Sequence, residues 1–315
     1  MFYAADFKEM IMRFFEKYML IIVTGLIVLS GTLFAEDETR PADEDGTGSL
    51  ISDILQEKSF RTGLSTRGTT GLILTAAPEC LASGGQFLGF RVFSNRLKYN
   101  SETTTDIGAA VSWAYGFSKD LPLKILKHVE FSATLPVLMR DGPDDSKTGL
   151  GDGLFSVKAQ ILEEDSLRPT VPAVGLLASI IVPTGSSEFE QTEGPGLEAG
   201  VMFGKTLTNT ADLARFKVYG ELRGRVIEKD DTADFMFKAD AGMAFPFGMY
   251  EDWFILAEYE YTARSDISGE NGYVLLVGMQ YMEQTFNATI GFITQYLDDI
   301  DTYERKIVLM YDVKF

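Results

Sequence analysis

Eleven charged side chains carry the candidate chemistry of this sequence: Glu130, Lys158, Lys205, Lys217, Glu221, Arg223, Arg225, Lys238, Asp240, Glu258 and Glu260. Most of them recur at every second position, the spacing that sends side chains to one face of an extended strand. Lys217, Tyr219, Glu221, Arg223 and Arg225 alternate with Phe216, Val218, Leu222 and Val226. Lys238 and Asp240 alternate with Phe235, Phe237, Ala239, Ala241, Met243 and Phe245, and Glu258, Glu260 and Thr262 with Ile255, Ala257, Tyr259 and Tyr261. Each segment thus has an apolar face and a face bearing both signs of charge. Such a face supports two kinds of chemistry: ion pairing that fills and stiffens a narrow interior, or a charged constriction that selects solutes. The alternation is compatible with both.

Other chemistries are short of parts. The chain has one histidine, His128, and one cysteine, Cys80, too few for an imidazole-rich metal site or a disulfide framework. His128 shares a face with Glu130, but no Gly-x-Ser-x-Gly elbow accompanies it, so catalysis is not expected. Gly149-x-Gly-x-Gly lacks the helix and the lysine of a phosphate loop. Asp298, Asp299 and Asp301 have carboxylate spacing with an incomplete Ca²⁺ ligand set. With 46 acidic against 28 basic residues, a formal charge of −18 excludes a phosphate-backbone reader, so no nucleic-acid partner is expected. No cofactor and no metal is expected either.

The positioning elements follow from the same period of two. Twelve alternating segments, near 85–95, 103–117, 125–139, 150–162, 171–183, 195–207, 214–227, 233–246, 252–263, 272–282, 285–295 and 304–315, are separated by clusters of Asp, Gly, Pro, Ser and Asn. Upstream, Lys8, Arg13 and Lys17 precede an apolar run from Met19 to Phe34, and acidic residues follow Ala35. That pattern reads as a signal peptide over 1–35, with an uncleaved anchor helix as the alternative. Residues 36–58 read as an acidic solvated tail, and 59–84 either as a plug inside the barrel or as a lead-in beneath it. The remainder, 85–315, reads as an all-β, antiparallel up-and-down transmembrane barrel of about twelve strands, with both termini on the periplasmic side.

The end of the chain favours lipid over a second protein layer as the partner of the apolar face. Ile307, Leu309, Tyr311, Val313 and Phe315 form an alternating row that finishes on an aromatic, with Lys306, Asp312 and Lys314 opposite. The row resembles the C-terminal signal that outer-membrane barrels present to the barrel-assembly machinery, and so implies that partner and an outer-membrane location. Aromatics cluster near segment ends, as at membrane interfaces: Trp113, Tyr115, Phe117, Phe245, Phe247, Trp253, Tyr281 and Phe286. The connections expected to be external, 140–148, 184–195, 264–271 and 296–302, are longer than those expected to be periplasmic, and rich in acids.

Two stretches carry a family resemblance. Gly149-Leu150-Gly151-Asp152-Gly153-Leu154-Phe155 leading to Lys158, and Pro172-Ala173-Val174-Gly175 running to Val182-Pro183-Thr184-Gly185-Ser186, resemble outer-membrane proteins named for the meta-pathway of phenol degradation. The resemblance implies a transporter-like barrel and a small solute, hydrophobic or aromatic. A closed structural or surface-interaction barrel is the alternative.

Overall fold

The computed structural model describes residues 63–81, 84–99, 102–117, 129–141, 146–164, 171–186, 189, 194–208, 215–229, 232–247, 252–264, 271–283, 285–297 and 302–315. The expected signal peptide and acidic tail, His128 and Asp298 to Asp301 lie outside the described residues.

A two-stranded hairpin, β1 (Gly63–Leu64) and β2 (Thr70–Gly71), precedes the large sheet. The sheet comprises β3 (Gln86–Tyr99), β4 (Glu102–Gly116), β5 (Val129–Asp141), β6 (Ser146–Leu150), β7 (Gly153–Leu162), β8 (Ala173–Val182), β9 (Gly196–Thr208), β10 (Arg215–Lys229), β11 (Thr232–Phe247), β12 (Trp253–Arg264), β13 (Gly272–Met282), β14 (Phe286–Leu297) and β15 (Thr302–Lys314). Every pairing is antiparallel, and all join chain neighbours except β5 with β7 and the seam of β15 with β3. At the seam β15 pairs with β3 from Glu304↔Leu97 to Lys314↔Phe87, and Phe315 and Gln86 exchange two backbone hydrogen bonds. The seam therefore closes the sheet into a barrel, as spanning lipid requires.

β6 and β7 together occupy one wall position, which makes twelve. β6 pairs with Val137–Asp141 of β5 and β7 with Val129–Thr134, so the ladder skips the stretch at Pro136, which has no N–H to give. The strand expected near 150–162 is thus interrupted at Gly151 and Asp152 rather than continuous. A second expectation is corrected too. On the rim that holds Phe315 the connections are 117–128, 163–172, 209–214, 248–252 and 283–285; on the opposite rim they are 100–101, 142–145, 183–195, 230–231, 265–271 and 298–301. The two sets do not sort by length. Ladders on the second rim run on past the apolar zone, as in Lys229↔Thr232 and Tyr99↔Glu102, and absorb residues that pattern alone assigns to loops.

The two faces of the wall differ as the period of two demands. Val92, Val111, Leu135, Val157, Ile180, Leu222, Phe237, Ile255, Val277, Phe292 and Leu309 are exposed on the outside. Arg91, Ser112, Glu130, Lys158, Glu221, Asp240, Glu258, Gln280, Thr289 and Asp312 are buried inside. Outer rings near the Phe315 rim follow one another along the wall: Phe216 to Phe245 at 4.8 Å, Trp253 to Tyr281 at 4.8 Å, Tyr281 to Phe286 at 5.8 Å and Phe286 to Tyr311 at 5.7 Å. Apolar residues exposed on alternate positions right round a closed sheet, with an aromatic belt at one rim, have only hydrocarbon as a fitting solvent. The chain is a membrane-spanning barrel. Strands of 10 to 16 residues, apart from the short β6, suffice for the roughly 9–11 that a tilted crossing needs.

Candidate functional site: an occupied barrel lumen

The inward charges converge on residues 64–81, which run inside the wall and return to its Phe315 rim. A segment without a long ladder leaves backbone donors unpaired, and buried donors need acceptors. Carboxylates from four strands supply them. Asp312 of β15 accepts from the Leu64 N–H at 3.0 Å. Glu258 of β12 accepts three consecutive N–H groups, Ile73 at 2.9 Å, Leu74 at 2.9 Å and Thr75 at 2.7 Å. Glu221 of β10 takes Ala76 at 3.0 Å and Glu130 of β5 takes Leu81 at 3.0 Å. Carbonyls and the one acidic side chain of the stretch meet cations: Arg91 donates to the Thr66 carbonyl, Lys158 to the Glu79 carbonyl at 2.6 Å, and Lys217 pairs with the Glu79 carboxylate.

Shape follows the same logic. Inward glycines lie where the segment touches the wall. A side chain at Gly89 would run into Leu64, at Gly175 or Gly204 into Pro78, at Gly242 into Leu72, and at Gly278 or Gly291 into Ile73. Leu72, Ile73 and Ala77 pack with Tyr219, Leu256, Leu276 and Met310 in the main apolar core. The segment's own hairpin turns at Gly68, whose φ of 86° is accessible chiefly to glycine.

Above this segment lies a cavity of about 500 Å³ whose floor includes Thr66, Arg67 and Leu74. One wall is ionic. Arg223 reaches Asp240 at 2.6 Å, Glu221 at 3.3 Å, Glu260 at 3.4 Å and Glu198 at 3.9 Å, and Lys238 reaches Glu260 at 2.6 Å. Arg67 of the segment joins this group through Glu198 and through Glu221 at 3.5 Å. On the facing wall Phe93, Val274, Ile293 and Val308 form an apolar patch beside Arg91, Gln295 and Lys306.

Nine of the eleven sequence candidates thus divide between gripping the segment and building the ionic wall, and Arg225 lines the cavity. Lys205 is a correction: on β9 it shares the outward parity of Leu197, Ala199 and Phe203. Near the rim, past the apolar zone, its ammonium reaches the Val171 carbonyl at 3.2 Å and Glu164 at 3.0 Å, as a long cationic side chain at a membrane boundary can. Tyr311 and Phe315 are exposed on the outer face and Val313 is half-buried. Pattern reading missed Arg91 and Glu198, single inward charges in weakly charged strands, together with Arg67 and Glu79 on the segment, and it placed Asp312 on the polar face of the last strand without giving it a role.

The two stretches that carry the family resemblance meet. Asp152 accepts from Gly185 N–H at 3.0 Å. The Thr184 hydroxyl accepts from Gly153 N–H at 2.8 Å and donates to the Gly151 carbonyl at 3.2 Å. Ser186 N–H donates to Leu150 at 2.9 Å. These bonds close the wall where, among the described residues, β6 has β5 as its only strand partner.

No family model and no curated protein matches this chain. Similar solved structures include the translocator domain of the autotransporter NalP from Neisseria meningitidis (9% identity, 75% of this chain and 90% of that one, TM-score 0.41). The NanC porin (12% identity, 72% and 100%, TM-score 0.43) and a deltaS2 mutant of the TodX monoaromatic hydrocarbon channel (10% identity, 76% and 92%, TM-score 0.39) are others. The barrel itself rests on the strand pairing described above.

Proposed function

We propose that the protein is an outer-membrane conduit for a small solute, gated by its own residues 59–84. The observation that carries this reading is the grip of Asp312, Glu258, Glu221 and Glu130 on the backbone of residues 64–81. Polar lumens fill with water by default. Here a segment that enters and leaves at one rim fills one half and leaves a cavity in the other. A gate tied by hydrogen bonds to side chains, rather than by a ladder, can leave without unravelling the wall. The rim at which it enters is then the periplasmic one, since the exported chain begins on that side, and Tyr311, Val313 and Phe315 form the signal read by the assembly machinery. A small hydrophobic or aromatic solute agrees with the family resemblance of 149–155 and 172–186.

Proteoliposomes test passage. Vesicles with the full chain should swell slowly in isosmotic arabinose, and vesicles with a chain lacking 59–84 should swell fast. Equal swelling removes the gate. The filled lumen also favours a second reading, a closed structural barrel, and absence of swelling in both samples would support that one.

A further inference from the structure

The cavity above the segment has two unlike walls, and Arg91 lies on the apolar one. Arg91 is buried, lines the cavity and donates from Nη1 to the Thr66 carbonyl. Its Nε and Nη2 meet no hydrogen-bond acceptor among the described residues. A buried guanidinium with two unused donors is costly unless an acceptor arrives, and a carboxylate matches its fork. Of the other lining cations, Arg67, Arg223, Lys238 and Lys306 each have a carboxylate within 4 Å.

Beside Arg91 the surface is hydrocarbon. Phe93, two positions along β3 on the same inward face, lies over Gly108, where any side chain would strike its ring. Val308 pairs with Phe93 across the seam, and Ile293, Val274 and Leu74 continue the apolar surface. An anionic head at Arg91 with an apolar body along Phe93 and Val308 satisfies both features. A purely apolar solute leaves the guanidinium unmet, and a small polar anion leaves the apolar wall wet.

We infer that this cavity binds a small amphipathic carboxylate, a hydrocarbon body bearing one acid group, with the acid on Arg91. The inference names the solute class for the conduit proposed above and rests on that reading for its role in passage, whereas binding is measurable without passage. About 500 Å³ accommodates one such molecule of monoaromatic size.

The probe is benzoate, with benzyl alcohol and acetate as partners lacking the charge or the body. Binding to the full-length protein in detergent is followed by calorimetry, and folding of each variant by heat-modifiable migration. Benzoate should bind at least about tenfold more tightly than either partner, a difference of one good hydrogen-bonded charge. Arg91→Gln should remove that advantage, Arg91→Lys should keep part of it, and Phe93→Ala should weaken benzoate without affecting acetate. Benzoate held no better than benzyl alcohol by the wild type, or equally by a folded Arg91→Gln protein, overturns the inference. If Arg91→Gln does not fold, the wild-type ranking decides alone. Benzoate binding without swelling would leave the site standing and remove the conduit; swelling without benzoate preference would do the reverse.

Discussion

Glu258 does the most for the segment at the scale of single residues. One carboxylate satisfies three successive N–H groups, so Glu258→Ala leaves two buried donors, Ile73 and Thr75, unmet at about 1–3 kcal/mol each, and the part-buried Leu74 N–H as well. The segment should then leave the lumen far more often while the barrel still migrates as folded. Limited proteolysis reads this directly: cleavage within 59–84 should appear in Glu258→Ala under conditions where the parent resists, and an unchanged pattern would show that the grip is incidental. Cys80 is a built-in reporter of the same event. Burial pushes its thiol up to about 11, and its Sγ lies 3.6 Å from the Lys158 carbonyl. Because the thiolate is the reactive form, a pKa above the ordinary value means slower alkylation at pH 8, and the rate should climb as pH approaches 11. Alkylation of the folded protein at pH 8 should be about a hundredfold slower than in denaturant. Equal rates would place Cys80 in solvent.

Among the elements, the interrupted strand and the inward glycines make separate demands. Asp152 and Thr184 close the wall between β6 and the 183–186 stretch through side-chain bonds, so Asp152→Ala or Thr184→Val should lower stability by about 1–2 kcal/mol. The measurable sign is a lower temperature for heat-modifiable migration, with the barrel otherwise intact. Glycines at 204, 242, 278 and 291 are the matching concave surface for Pro78, Leu72 and Ile73. Gly278→Val introduces bulk against Ile73 and the β14 backbone, an overpacking that costs about 1–3 kcal/mol. It should expel the segment, making Cys80 reactive; continued protection of Cys80 in this variant would show that the apolar contact is slack.

The whole molecule shows what pattern could and could not convey. Period two, the even strand number and the terminal aromatic row were legible because lipid outside and water or protein inside impose opposite demands on alternate residues. Alternation cannot say what fills a lumen, since a carboxylate facing water and one capping backbone N–H groups occupy the same parity. The signal that distinguishes them was present in a different residue type: glycines at inward positions of β3, β8, β9, β11, β13 and β14, where a water-filled barrel has no need of them. Lys205 misled for a related reason, because near a rim the outward parity no longer means lipid. Loop lengths misled because hairpin ladders continue past the membrane. The acidity has a structural use that composition alone hides, since part of it is spent inside the barrel as acceptors for a strand-poor segment.

Conductance in a planar bilayer tests the central claim, that the lumen is closed by residues 59–84. The full-length protein should show low or intermittent conductance, and the same protein lacking 59–84, shown by heat-modifiable migration to be folded, should show a large steady one. Indistinguishable traces from the two proteins would contradict the account.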